Sequence, residues 1–396
     1  MMPPVRTGFV AWSILACAQA VSAQSDLSAT LRVEAYAFAE DALSPQQTNN
    51  PSRIALDMIG RLELSDTLTL SFDGTGGWSG GENSIAFGRV NRLSLDQQIA
   101  ASMLSFGYDS LIWSKSEFAR LSDVINPRDY RFDPSGGTTL GQPMLRWDLP
   151  LGPGVLTSVV VPRPLPSRYP SAESRLRSRL PITGDAQFEK NQNTHAVALR
   201  YEASIGITDV GIYGYIGPTR EAAIVSVGSA FAPYYAWVQQ AGFDAQVTFG
   251  SSAAKVELRH TSNQLDRTGV RSDGWAISVG AEHSFYGVFG SPSDITVAVE
   301  YAWDERDKQA WQNNQNDLYA GIRWSLQNTA DTQFEIGYQQ DLSFDTSAWR
   351  LGFEHRVMDG LVAKAEAILW QGANPQDLVY GLSRDSHLRV SFEKSF

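Results

Sequence analysis

The chain has 396 residues, a formal net charge of −11 and a pI near 5.0, an acidic balance that argues against a nucleic-acid partner. Its one cysteine is Cys17, so disulfides, thiolate metal sites and a cysteine nucleophile are excluded from everything that follows it. Beyond the first residues there is no apolar run of the roughly 18 residues that a spanning helix needs, yet 11 Trp, 14 Tyr, 18 Phe and 33 Gly accompany only 19% charged residues. Many strands flanked by aromatic girdles would account for that combination.

At the N-terminus Arg6 precedes an apolar stretch from Phe9 to about Ala20, then Val21-Ser22-Ala23, a small-x-small site. Residues 1–23 are therefore expected to be a secretory signal peptide, and 24–396 one exported domain starting at Gln24. Lipoprotein processing at Cys17 is the alternative, since Leu15-Ala16-Cys17 loosely resembles the required site, but it leaves a very short apolar core.

From there on, apolar and polar side chains alternate, the period of a strand whose faces meet different surroundings. Leu27, Ala29, Leu31 and Val33 alternate with Ser28, Thr30, Arg32 and Glu34. Ile54, Leu56 and Met58 alternate with Arg53 and Asp57, and past Ser65-Asp66 the apolar series resumes at Leu68, Leu70 and Phe72. Later strands repeat the pattern, as in Ile295, Val297, Val299, Tyr301 and Trp303, and the last one ends Leu388, Val390, Phe392 and Phe396.

Such segments lie near 27–40, 53–65, 66–79, 85–96, 99–108, 140–149, 155–162, 193–204, 206–217, 233–249, 253–264, 273–285, 293–304, 316–327, 331–343, 346–358, 360–371 and 384–396. That is about 18, and an even count is what bacterial barrels require. Only 84–96 alternates poorly, with Arg89, Val90 and Asn91 breaking the pattern, which predicts a bulge. Connections after even-numbered strands are mostly short and those after odd-numbered strands mostly long, as expected when both termini face the periplasm; 286–292 and 344–345 are the exceptions. A soluble sandwich or propeller also alternates, but it accounts neither for this two-sided loop rule nor for aromatics at strand ends. The expected fold is thus all-β: a transmembrane antiparallel β-barrel of about 18 strands in the bacterial outer membrane, with a long loop folded into the lumen.

Leu104-Ser105-Phe106-Gly107-Tyr108, then Trp113-Ser114, then Asp123-Val124-Ile125-Asn126-Pro127-Arg128-Asp129-Tyr130 resembles a signature of porin-like outer-membrane proteins in the alginate-export-like group and its relatives. In them a strand carrying Gly leads to a Trp and then to an Asp-x-x-Asn-Pro-x-Asp segment. The resemblance covers roughly 60 residues, and the rest matches only as a generic barrel. It implies an 18-strand-type barrel serving as a channel or exporter. Tyr108-Asp109 and Ser114-Lys115 depart from the group's usual residues, so no substrate carries over.

The strand register predicts a polar, mixed-sign lumen. Arg32, Arg53, Arg61, Arg146, Arg200, Lys255, Arg259, Arg323, Arg350, Arg356, Lys364 and Arg389 face inward, nearly balanced by Glu34, Asp57, Glu63, Asp73, Asp148, Glu202, Asp209, Asp244, Glu257, Glu282, Glu300, Glu335, Glu354, Glu366 and Glu393. Lys255, Glu257, Arg259, Arg323, Glu335 and Arg350 are expected in a wall stabilised by cross-strand ion pairs around water. So many strands enclose a bore too wide for side chains to fill. The segment 109–139 is the candidate to narrow it, with Glu117, Arg120, Asp123, Arg128, Asp129 and Arg131 at the constriction.

Arg163, Arg168, Arg175, Arg177 and Arg179 form a basic Pro-rich loop expected to face outside, available to anionic solutes or lipopolysaccharide phosphates. Of the five histidines only His387 is placed inward, beside Ser386 and Ser391, and no ligand spacing suggests a metal. The function expected is a channel passing small hydrophilic or anionic solutes by passive diffusion, with neither catalysis nor cofactor. Its partners would be lipid, lipopolysaccharide and the barrel assembly machinery, which reads Phe396 as an assembly signal. The alternatives are the barrel component of an export system with a periplasmic partner, and a non-conducting structural or adhesive barrel.

Overall fold

A computed structural model describes residues 25–48, 51–80, 85–133, 136–191, 194–372 and 374–396. The expected leader and its processing sites lie outside them. Eighteen strands form one sheet: β1 (Ser25–Phe38), β2 (Ser52–Ser65), β3 (Leu68–Gly80), β4 (Ile85–Ile99), β5 (Ser102–Asp109), β6 (Gln142–Leu151), β7 (Gly154–Val161), β8 (Ala196–Ile205), β9 (Thr208–Pro218), β10 (Trp237–Phe249), β11 (Ser252–Leu265), β12 (Arg271–Phe285), β13 (Asp294–Asp304), β14 (Asn316–Ser325), β15 (Gln333–Asp341), β16 (Ser347–Met358), β17 (Leu361–Gln371) and β18 (His387–Ser395). Neighbours in sequence pair antiparallel, and β18 pairs with β1 from Thr30↔Ser395 to Phe38↔His387, so the sheet closes. Closure gives every strand two hydrogen-bonded neighbours, the condition for putting sheet into lipid.

The alternation sorts as the sequence predicts. Leu31, Val33, Ile54, Leu56, Ile212, Val299, Ile322 and Leu351 are exposed on the outside of the barrel, while Glu34, Arg53, Arg200, Asp244, Glu257 and Glu300 are buried within it. A continuous apolar exterior over a charged interior is the inverse of a water-soluble protein and matches a barrel in hydrocarbon. Near the short-turn end, rings on the outer face form a row: Phe289 to Trp324 is 6.2 Å between centroids, Trp324 to Phe334 5.7 Å, and Phe334 to Phe353 5.3 Å. Amphipathic rings at that height suit a membrane interface.

Each of the eighteen periodic segments has its strand. The bulge is also present: Asp73 pairs with Arg92 and Gly74 with Val90, leaving Asn91 as the extra residue, its amide 3.2 Å from the Asp73 carboxylate. At Gly107 the backbone has φ 138°, and a Cβ there would lie 2.2 Å from the Leu93 carbonyl oxygen, so the resemblance-bearing glycine is required by close strand approach. One boundary differs. The segment 233–249 enters the barrel only at Trp237, because Ala230–Tyr235 pairs with Ala223–Val227 and, in parallel, with Gln187–Phe188 in a small sheet among the loops.

Six of the short-rim connections (66–67, 100–101, 152–153, 206–207, 250–251 and 359–360) have two residues; 286–293 and 326–332 are longer. At the other rim 110–141 and 162–195 dominate, and 342–346 stays short. The chain therefore concentrates its irregular segments at one mouth.

Two predictions follow from these faces. Val299→Arg, mid-strand toward lipid, should destabilise the folded barrel by about 2–4 kcal/mol, whereas Glu335→Gln, facing water inside, should change stability by less than about 1 kcal/mol; urea unfolding of both in lipid vesicles checks the order. Phe396 donates its backbone N–H to Ala29 O at 2.9 Å and leaves its ring exposed at the closing seam. Its deletion should lower the amount of heat-modifiable barrel in the outer membrane, measured by gel shift of isolated membranes.

Candidate functional site

After β5 the chain turns into the bore instead of crossing directly to β6. The inward-facing carboxylates of Glu257 on β11 and Glu300 on β13, 0% and 4% exposed, receive it. Glu257 accepts from Ser114 Oγ at 2.6 Å and from the backbone N–H groups of Lys115 (2.6 Å), Ser116 (2.9 Å) and Ser122 (3.1 Å). Glu300 accepts from the N–H groups of Glu117 (3.0 Å), Phe118 (3.3 Å) and Ala119 (2.7 Å). Two buried carboxylates thereby satisfy a stretch of irregular backbone that has no strand partner. Phe118 stacks on Tyr319 of β14 at 4.9 Å, and Trp113 packs against Tyr213 at 5.7 Å with Arg200 above it.

The Asp-x-x-Asn-Pro-x-Asp residues are the segment's internal frame. Asp123 Oδ1 accepts from Trp113 N and Ser114 N. Asn126 accepts from Leu111 N and donates to Asp109 O and Leu140 O, tying the segment's start to its end. Asp129 grips Arg131 at 2.8 and 2.6 Å. Arg128–Asp129 then pairs with Thr138–Thr139 and, through Tyr130 N→Arg168 O and Arg168 N→Arg128 O, with the loop after β7.

The six residues expected at a single constriction do not form one cluster. Arg120, Asp123 and Arg128 face a cavity under the outer loops, with Arg120 pairing Asp123 at 2.6 Å. Asp129 lines a different cleft, Arg131 lies against Phe87 and Phe132, and Glu117 reaches the wall to pair with Lys255 at 2.7 Å. The reason is the ladder at 128–139, which gives the segment two faces.

On the far side of that ladder the cleft, about 370 Å³, runs between Asp129, Phe132, Asp133 and Thr138 of the segment and a wall carrying Arg32, Arg53, Arg89, Arg350 and Arg389. Phe132 reaches across to Phe87 at 4.7 Å, with Arg53 over its ring at 4.3 Å. Of the expected wall residues, Arg259 pairs with Glu221 from the loop after β9, and Arg350 pairs with Glu366 at 3.4 Å. Arg323 and Glu335 pair at 2.7 Å but are 59% and 47% exposed, so toward the short-turn end the bore is open to water.

The outer basic loop is corrected in part. Arg163, Arg168 and Arg179 are exposed, but Arg175 and Arg177 are buried. Arg175 pairs with Asp385 at 2.6 Å, both side chains 1% exposed, and lies over Phe38; Arg177 donates to the carbonyls of Ala172, Ser178 and Arg179. These two fasten the loop into the mouth and are not presented to solvent. Burial raises the Asp385 carboxyl above its usual range against the pull of Arg175. His387 faces inward as expected, its Nδ1 2.7 Å from Asp385 O and its ring against Tyr36 and Phe38.

Several lining residues were not anticipated. Arg89 was hidden by the bulge, which breaks the alternation used to assign faces. Glu221 lies in a loop without periodic signal; burial alone would raise its carboxyl, but Arg259 and Arg306 outweigh this and hold it below the usual range.

No protein-family model and no curated protein sequence matches the chain. Among solved structures it is similar to OccK8 (OprE) of Pseudomonas aeruginosa, with 10% identity over 94% of this chain and 98% of that one and a TM-score of 0.54. Others are OmpT of Vibrio cholerae in its trimer form (13% identity, 95% and 100%, TM-score 0.43) and OmpF of Salmonella typhi in complex with daunomycin (10%, 94% and 97%, 0.44). None of these carries the resemblance to the alginate-export-like group further. The closed sheet, its apolar exterior and the OccK8 likeness give the chain the fold of an outer-membrane porin-type β-barrel.

Proposed function

We propose that the chain is a passive outer-membrane channel for small hydrophilic solutes, anions preferred, exported by its leader at 1–23. Solutes cross through the cleft between the infolded segment and the arginine wall. One observation carries the reading: the segment's hydrogen bonds to the barrel wall gather between β8 and β13, chiefly on Glu257 and Glu300, while the opposite wall keeps an open cleft into which Arg32, Arg53, Arg89, Arg350 and Arg389 face, Glu34, the partner of Arg32, Arg53 and Arg389, being buried behind them. Charges at a narrow, low-dielectric point act on ions more strongly than charges spread along a wide wall. The Glu257 and Glu300 anchors keep the segment fixed in the bore, so the narrow point is set by structure and not by a mobile loop.

Catalysis has no part in this reading, because His387 is held by a backbone carbonyl and two rings instead of facing a nucleophile. Arg163, Arg168 and Arg179 are the members of the basic loop left for lipopolysaccharide phosphates.

Planar-bilayer recording tests the reading. Glu257→Ala with Glu300→Ala should release the segment, raising single-channel conductance and current noise; a current identical to that of the native protein would put the segment outside the conducting path. Arg89→Gln with Arg389→Gln should move the reversal potential in a salt gradient toward cation preference, and an unchanged potential would show that solutes avoid this cleft. A native barrel that is correctly folded and passes no current would favour a partner-dependent exporter or a structural barrel.

A further inference from the structure

The other face of the infolded segment borders a second cavity, of about 230 Å³, roofed by the loops after β7, β9, β13 and β17. We propose that this cavity is a binding site for a small organic anion with a compact apolar body, a stopping point for one class of solute on its way to the cleft; the second clause rests on the channel reading, the site itself does not.

The charge argument comes from its arginines. Both carboxylates in the lining are already committed: Asp123 to Arg120 and two backbone N–H groups, Glu221 to Arg259 and to Arg306, the latter at 2.9 Å. Arg128 donates to Gly136 O at 2.7 Å, and Arg220 donates to Pro218 O and Leu165 O at 3.1 Å each. Among the described residues neither guanidinium has a carboxylate within ion-pair distance. Carbonyls satisfy N–H groups without neutralising charge, so two cations are left uncompensated in a confined space, where an anion is favoured over water.

The rest of the lining is wrong for a bare inorganic anion. Phe118, Tyr169, Ile182, Leu378, Val379 and Leu382 present ring and aliphatic surface to the same space. Burial pushes the Tyr169 phenol far above its usual range, so it stays neutral and adds no competing negative charge. Trp311 Nε1 and Gln240 Oε1, on residues of this lining, have no hydrogen-bond partner among the described residues. A cavity of roughly 150 Å³ holds benzene, so this one has room for a ring and a short acidic arm.

The test uses 3-phenylpropionate, acetate and 3-phenylpropylamine with the purified full-length barrel in detergent, by calorimetric titration. The expected result is saturable binding of 3-phenylpropionate at least about tenfold tighter than acetate, and none of the amine, which carries the same body with the opposite charge. Arg128→Gln with Arg220→Gln should weaken binding about tenfold, and Leu382→Trp, which fills the space and keeps the charges, should abolish it; a heat-modifiability gel confirms that each variant is folded. Equal binding of the amine, equal binding of acetate, or unchanged binding to folded Leu382→Trp would overturn the site. Conductance of the same native sample in potassium chloride separates the two claims: current without 3-phenylpropionate binding removes the site and leaves the channel, and binding without current removes the channel and leaves the site.

Discussion

Hydrocarbon offers no partner to a backbone N–H or C=O, and this constraint shapes the rest of the molecule. It requires the sheet to close through β1 and β18, and closure with strict alternation sends one residue in two toward lipid and the other into the bore. The interior inherits every charge the exterior excludes. Arg200 with Asp244 and Arg53 with Glu34 are ion pairs buried in the wall, where neither charge would be tolerated alone.

Wall charges on the two sides of the bore do different work. From β8 to β14 the inward carboxylates of Glu202, Asp244, Glu257 and Glu300 face the infolded segment or its arginine and lysine partners, and they fasten it. From β16 round to β4 the arginines are paired within the wall and share carboxylates: Arg389 reaches both Glu34 and Glu366, and Arg32 both Glu34 and Asp57. The guanidinium groups of Arg32, Arg53, Arg89, Arg350 and Arg389 line the cleft, while Glu34, which pairs with three of them, is buried behind them. A lumen whose charges balance overall still presents guanidinium groups at the cleft surface, and the groups at that surface are what a passing ion meets.

The barrel was legible because period-two alternation is a local signal, and each strand carries it independently. It was lost only where local geometry broke it, at the Asn91 bulge, and where a loop hairpin imitated it, at Ala230–Tyr235. The site was less legible because its contacts are distant. The infolding of 110–141 could be expected from length, but its anchors are Glu257 and Glu300, more than a hundred residues away in sequence. Arg175 looks like a surface cation until Asp385, 210 positions later, is placed against it. From sequence the Asp-x-x-Asn-Pro-x-Asp signature was expected to place charges at a constriction; in the fold its Asp123 and Asn126 brace the irregular backbone that stands inside the bore.

The central claim is that solute passes between the infolded segment and the arginine wall. Residues 25–396 contain no cysteine, so a single thiol can be introduced at Thr138, on the segment's cleft-facing side, as Thr138→Cys. Exposing one open channel of this variant to a bulky cationic methanethiosulfonate reagent should produce a single, irreversible downward step in current, together with a rise in anion preference. A current that stays unchanged after mass spectrometry shows the thiol to be modified would contradict the claim.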